Sequence, residues 1–276
     1  MILTRTSGFI KEAGFTHSLT PARNCTFGCT YCYVPTMRIY GGLKKEDWEH
    51  WGQFTTFKPD AAQQLRKELR PQQRIYCSPL VDPYQPAEVA QRGMPALLDT
   101  LREFPPAVFV VQTRGPLVLR DMALLAQLSE VATVRVSFSV TTNREDVRRM
   151  YEPHCATFDE RLAVIRHLRA EGISVFATLA PVLPCDPEAL MEAVLEATTN
   201  DIVCDPFHTR QTKKQGATTR EAALRISEHH GFEQWHEPDF QAELVERMRT
   251  IAQRAGRRFG IGTEAFGWLS ADQKTS

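Results

Sequence analysis

Five short runs rich in β-branched and aromatic residues, at 74–77, 107–111, 134–140, 173–179 and 201–204, with a further strand added at 18–22 just before Cys25, alternate along the chain with stretches whose apolar residues recur every three or four positions, at 61–69, 95–104, 121–128, 159–171 and 187–196. Alternation of this kind builds parallel sheets, because two parallel strands need a crossover between them and a helix supplies it. The expected fold class is α/β, a partial (β/α)6-type TIM-like barrel with parallel strands; a doubly wound open sheet is the alternative. No repeat or linker interrupts the 276 residues. They are read as a single barrel domain, 1–276, with 209–276 as a helical C-terminal extension. Within it, 207–235 reads as a loop followed by a short helix, the polar run 209–220 as part of that loop, 240–254 as a packing helix and 271–276 as a polar tail.

In such folds ligands gather beyond the carboxyl ends of the strands. Cys25 follows the first proposed strand, Asp82 the second, Arg114 the third, Thr141 the fourth, Pro181 the fifth and His208 the sixth. Seven cysteines, an odd number in a chain too long to need disulfide staples, are read as reduced. Cys77, Cys155, Cys185 and Cys204 are scattered and read first as small buried hydrophobes. Cys25, Cys29 and Cys32 instead form C-x3-C-x2-C, three thiols on one tight loop with Gly28 easing the turn. Three soft thiolates suit an iron–sulfur cluster, zinc or copper. A cubane cluster held by three of them leaves one iron open to a substrate or cofactor. The zinc alternative is a structural site completed by Cys77, Cys155 or a histidine, and it makes the chain a non-catalytic binding module.

The spacing C-x3-C-x-aromatic-C resembles the signature of the radical S-adenosylmethionine superfamily. The segments Cys29-Thr30-Tyr31-Cys32-Tyr33, Asp82-Pro83-Tyr84-Gln85-Pro86, Thr113-Arg114-Gly115-Pro116, Ser137-Phe138-Ser139-Val140-Thr141-Thr142 and Glu152-Pro153 resemble its spore photoproduct lyase-related (DNA repair photolyase-like) branch over roughly 15–208. This resemblance implies a [4Fe-4S] cluster on Cys25, Cys29 and Cys32, with S-adenosyl-L-methionine chelating the fourth iron. It also implies an external one-electron donor of flavodoxin or ferredoxin type, and reductive cleavage to a 5′-deoxyadenosyl radical that abstracts hydrogen from a substrate. Carried over by position, Tyr31 lies against the adenine, and Asp82, Arg114 and Ser139 meet the ribose and the methionine moiety. Cys77 is then the hydrogen-atom donor, and Tyr84 a radical relay or substrate wall. Arg114 stands where the photoproduct lyases carry a lysine, and a guanidinium can grip a carboxylate bidentately. Read from the residues alone, Arg114 is equally a solvated strand-end charge, and Asp82 and Ser139 a turn cap and a local backbone bond.

Lys plus Arg equals Asp plus Glu at 33 each, so no global field draws the chain to nucleic acid or an anionic membrane. No apolar run is long enough for a signal peptide or a membrane span, and the chain is read as cytoplasmic. Between Tyr33 and Lys58, Tyr40, Trp48, Trp51, Phe54 and Phe57 are interleaved with Arg38, Lys44 and Lys45. Aromatic faces beside cations can stack unpaired bases, so a nucleic-acid lesion is one candidate substrate, and RNA, peptide or small molecule stay open beside it. The opposing reading is a loop packed over the barrel, with Glu46, Asp47 and Glu49 cancelling the charge. Runs of arginine at 144–149 and 247–258 read as solvated helix faces, and His229, His230 and His236 as surface residues.

Overall fold

β-Branched and aromatic residues at alternating positions give the central sheet two apolar faces. The structure, a computed structural model, describes residues 1–209 and 220–272. Eight strands pair in chain order: β1 (Leu3–Arg5), β2 (His17–Leu19), β3 (Arg74–Cys77), β4 (Val108–Thr113), β5 (Thr133–Ser139), β6 (Ser174–Leu179), β7 (Ile202–Cys204) and β8 (Phe259–Ile261). β1 is antiparallel to β2, and every later pair is parallel. Strand order that never reverses is the winding of a partial (β/α) barrel, so the doubly wound alternative is excluded.

The convex face carries α1 (Ala61–Glu68), α2 (Gly93–Glu103), α3 (Met122–Ser129), α5 (Phe158–Ala170), α6 (Pro187–Ala197) and α8 (Pro238–Arg254), whereas Val147 and Tyr151 of α4 (Glu145–Tyr151) and Ala223 of α7 (Glu221–His230) cluster with Phe27 and Tyr31 of the cysteine loop. Ile75, Cys77, Phe109, Val111, Val136, Phe138, Val175 and Ala177 face these helices and build the main core with Leu65, Leu97, Leu125, Ile165, Leu190 and Met248. Their neighbours Tyr76, Val108, Val110, Phe176 and Val203 point the other way, into the concave side. There α9 (Gly262–Ser270) supplies Ala265, Phe266 and Leu269 as a plug. The buried Arg135 fixes its end by donating to the carbonyls of Leu269 and Ala271 at 2.8 and 2.6 Å.

The stretch 209–276 is therefore not wholly helical. Residues 210–219 and 273–276 lie outside the described residues, but β8 adds a strand to the sheet within it. Its residues Phe259, Gly260 and Ile261 centre on a glycine, which lowers strand propensity and hides the strand from sequence reading. Gly260 is required there, since a Cβ would meet the Trp268 ring at 2.5 Å. β1, Leu3-Thr4-Arg5, offers a single β-branched residue and escapes sequence reading too. Among the described residues, no helix is long and apolar enough to cross a membrane.

Candidate active site

The cysteine loop leaves β2 through a two-stranded ribbon, Ala22–Arg23 against Thr56–Phe57, which brings the far end of the aromatic segment back to the start of the loop. Asn24, fully buried at φ 61°, ties the loop to the aromatic segment. Its Oδ1 accepts from the N–H groups of Cys25 (2.7 Å) and Gly52 (2.8 Å), and its Nδ2 donates to the carbonyls of Asp47 and His50 at 3.1 Å. Gln85 holds the next turn: its Oε1 accepts from Thr26 N at 2.7 Å and from Thr55 Oγ1 at 2.6 Å. Gly28 (φ 58°) and Gly52 (φ 91°) pack back to back, and a Cβ on Gly52 would fall 2.9 Å from the Gly28 Cα. The loop is thus preorganised by buried amides and by two glycines at positions other residues cannot take.

Glu152, at the end of α4, is the hub that sequence reading assigns no role. It is fully buried; Oε1 accepts from the Tyr31 hydroxyl and Arg114 Nη1, and Oε2 from Arg161 Nη2. Arg161, 1% exposed although it lies on the amphipathic helix α5, also donates to Thr141 Oγ1 (3.2 Å) and the Ala156 carbonyl (3.0 Å). Burial alone would raise the Glu152 pKa, but Arg161 and Arg114 hold it down to about 2. Thr30 N donates to the Tyr151 carbonyl at 2.9 Å, so the cysteine loop docks directly on this turn. Tyr31 packs edge-on against Phe207 with centroids 6.0 Å apart, and its ring lies 5.8 Å from the Arg114 guanidinium carbon.

A cavity of about 500 Å³ opens beside the loop, at the carboxyl end of the sheet. It is lined by all three loop cysteines and by Tyr31, Asp82, Arg114 and Ser139, so the strand-end residues chosen from the sequence converge on one space. Their environments differ. Asp82 is turned to local work: its carboxylate accepts from Thr113 Oγ1 (2.6 Å), Arg114 N (2.8 Å) and Tyr84 N (2.9 Å), fixing the turn that aims Arg114. Gly115 is obligatory in that turn, because a Cβ would lie 2.2 Å from the Tyr84 carbonyl oxygen. Ser139 accepts from Gln112 Nε2 at 2.7 Å and belongs to a neutral belt. There Gln112 Oε1 accepts from Tyr76 (2.8 Å) and Ser137 (2.6 Å), and Ser137 meets Thr178 at 2.6 Å. Cys77 and Tyr84, 0% and 1% exposed, sit in the core between sheet and helices and do not line the cavity. Pleating explains this: Tyr76 takes the concave face and leaves Cys77 the convex one. From the aromatic segment, Tyr33 and Trp51 line the cavity, while Lys45 pairs with Glu49 and Arg23 with Asp47. His236 is a satisfied core residue between Ser227 Oγ (2.8 Å) and the Phe207 carbonyl (3.1 Å).

The donor set separates a cluster from a single ion. Two thiolates on one tetrahedral zinc stand about 3.8 Å apart at Zn–S bonds of about 2.3 Å. Among the described residues, three ligand atoms lie within 4.8 Å of one another only in the set Cys29, Glu152 and Cys155, so the three loop sulfurs do not all stand that close and are not gathered as a zinc site would have them. That compact set is a poor cation site, since Arg114 and Arg161 already sit on its carboxylate. Three thiols on a preorganised loop, not gathered around one point and facing a cavity, fit a multi-iron cluster with one open iron.

Comparison with known proteins agrees. An uncharacterized protein of Mycobacterium tuberculosis is 29% identical over 174 residues, 62% of this chain and 50% of that one. One of Methanocaldococcus jannaschii is 25% identical over 160 residues, 58% of each. The chain thus spans about half the length of the mycobacterial relatives it matches. Spore photoproduct lyase complexed with dinucleoside spore photoproduct superimposes with a TM-score of 0.62 at 14% identity, over 94% of this chain and 78% of that one, and shares the fold. The family profile described as Radical SAM superfamily matches residues 19–197, from the last residue of β2 to the end of α6, and by that match the chain belongs to the radical S-adenosylmethionine superfamily.

Proposed function

We propose that this chain is an enzyme that binds a [4Fe-4S] cluster through Cys25, Cys29 and Cys32, cleaves S-adenosylmethionine reductively and directs the ensuing radical chemistry at a substrate in the adjoining cavity. The observation that carries the reading is the convergence of the three loop thiols with Arg114 and Ser139 on one cavity of about 500 Å³. When bound, the cluster supplies one electron to the cofactor's sulfonium, replenished by an external donor of flavodoxin or ferredoxin type. The chain's own residues bind and orient. Arg114, with 15% of its side chain exposed at the cavity, is placed to hold the cofactor's carboxylate. Ser139, aimed by Gln112, offers a hydroxyl, and Tyr31 an aromatic edge, to the rest of the cofactor. Apolar walls from Trp51 and Phe266 help exclude water.

The substrate reading is a damaged nucleobase or nucleoside. The fold-level neighbour is named with a dinucleoside photoproduct, and Tyr33 and Trp51 put aromatic surface at the cavity where an extruded base could stack. The test is anaerobic reconstitution and dithionite reduction with S-adenosylmethionine, in wild type and Cys29→Ala, first alone and then with ultraviolet-damaged oligonucleotides. Cluster-dependent 5′-deoxyadenosine supports the enzyme class, and reversal of the lesion supports the substrate. A colourless zinc protein yielding no 5′-deoxyadenosine sinks both.

A further inference from the structure

The three sulfurs meet different donors. Cys25 Sγ faces the backbone N–H groups of Asp82 and Phe27, and Cys32 Sγ that of Val34. Cys29 Sγ faces two side chains: Arg114 Nη1 at 3.5 Å and the thiol of Cys155 at 3.9 Å. Neither is placed casually. Cys155 is 7% exposed, its N–H donates to the Glu152 carbonyl at 3.0 Å, and its own carbonyl accepts from Arg148 Nη1 at 2.8 Å. Arg114 is gripped by Glu152, which Arg161 anchors from behind. Both donors are therefore held by the turn between α4 and α5, more than eighty residues from Cys29 in the case of Arg114 and more than a hundred for Cys155.

An electron added to an iron–sulfur cluster raises the negative charge on its sulfurs, so a hydrogen bond donated to a ligand thiolate stabilises the reduced form and raises the reduction potential. We propose that Cys155 and Arg114 are positioning residues that donate to the Cys29 thiolate and raise the reduction potential of the cluster, with the Cys155 thiol protonated and not bound to iron. The inference rests on the cluster proposed for the loop thiols. Ligation by Cys155 is disfavoured by the same geometry. A sulfur 3.9 Å from Cys29 has the spacing of a second thiolate on the same metal, whereas a cubane gives each iron one thiolate.

The experiment compares wild type, Cys155→Ala and Cys155→Ser after anaerobic reconstitution. Iron and sulfide are counted first, and the one-electron couple is then titrated potentiometrically by electron paramagnetic resonance without S-adenosylmethionine. The expected result is equal iron in all three, a midpoint in Cys155→Ala shifted to more negative potential, and Cys155→Ser between them because its hydroxyl can still donate. A Cys155→Ala midpoint equal to wild type overturns the proposal. So does failure of both variants to hold iron, which would make Cys155 a ligand or part of the scaffold. If wild type itself holds no cluster, the iron count shows it before any potential is measured, and the functional reading falls with it.

Discussion

The mouth of the half-barrel and the belt across its interior are both made of buried polar groups, yet they are built in opposite ways. At the mouth, one carboxylate, Glu152, answers two guanidiniums, Arg114 and Arg161. In the belt, Tyr76, Gln112, Ser137, Ser139 and Thr178 pair through neutral hydroxyls and one amide. A neutral belt joins four parallel strands without creating a field. An ionic mouth puts a fixed, desolvated cation beside the cysteine loop, on the cavity proposed for the cofactor. The difference shows how one concave surface separates register from chemistry, and it predicts unequal costs of breakage. Removing one member of a buried ionic set leaves an uncompensated charge, costing about 3–5 kcal/mol. Orphaning a neutral partner costs about 1–3 kcal/mol.

Glu152→Ala should therefore be the most destabilising single change at the site, by about 3–5 kcal/mol in denaturant unfolding, because Arg161 is left buried without its anion. Gln112→Ala should cost only about 1–3 kcal/mol. Equal losses would erase the distinction between mouth and belt.

The same contrast has a pH signature. Glu152 has its pKa depressed from an ordinary 4.5 to about 2, so its contribution is fully present above the unfolded value and is lost as pH falls from about 4.5 toward about 2. That depression corresponds to roughly 3 kcal/mol of pH-dependent stability. The belt has no group that titrates in this window. Glu152→Gln should flatten the acid limb of the stability curve, and an unchanged acid limb would mean that the carboxylate does not face both guanidiniums in solution.

Arg114→Ala tests what the ionic mouth is for. Losing a charge-assisted contact to a carboxylate corresponds to roughly 1.5–3 kcal/mol, about ten- to a hundredfold in affinity for S-adenosylmethionine. Ser139→Ala, in the neutral belt, should cost less than about tenfold. Titration calorimetry on the reconstituted proteins, with iron content checked, ranks the two. The reverse order would move the cofactor's anchor from the mouth to the belt.

These groups were unequally visible in the sequence. Strand–helix alternation is a local signal, and it yields a parallel sheet and the strand-end positions of Asp82, Arg114 and Ser139, while the choice between barrel and doubly wound sheet rests on the strand order. The cysteine loop is legible because its three ligands lie within eight residues. Glu152 is not, because its partner Tyr31 is 121 positions away and spacing carries no record of that contact. Arg161 hides within an amphipathic helix whose other charges face solvent, and Cys155 invites notice only as a fourth zinc ligand. The two terminal strands, β1 and β8, carry one β-branched residue each, beside an arginine in β1 and a central glycine in β8, too weak a strand signal to stand out.

Cys77 shows the opposite failure, a residue that stands out in the sequence and is turned away by the fold. It shares β3 with Tyr76, but the pleat sends Tyr76 to the belt and Cys77 into the dry layer under the helices. Burial also pushes its thiol well above the ordinary range, as suits a small hydrophobe. Cys77→Ala should leave 5′-deoxyadenosine formation within about twofold of wild type and cost about 1 kcal/mol of stability for the lost buried sulfur. Tyr76→Phe should cost a similar amount, about 0.5–1.5 kcal/mol, by removing the hydroxyl that donates to Gln112. The two variants thus match in stability and differ in which face they disturb. A tenfold fall in 5′-deoxyadenosine for Cys77→Ala at unchanged iron content would show that Cys77 reaches the cavity after all, and that the division between the two faces is not kept in the working protein.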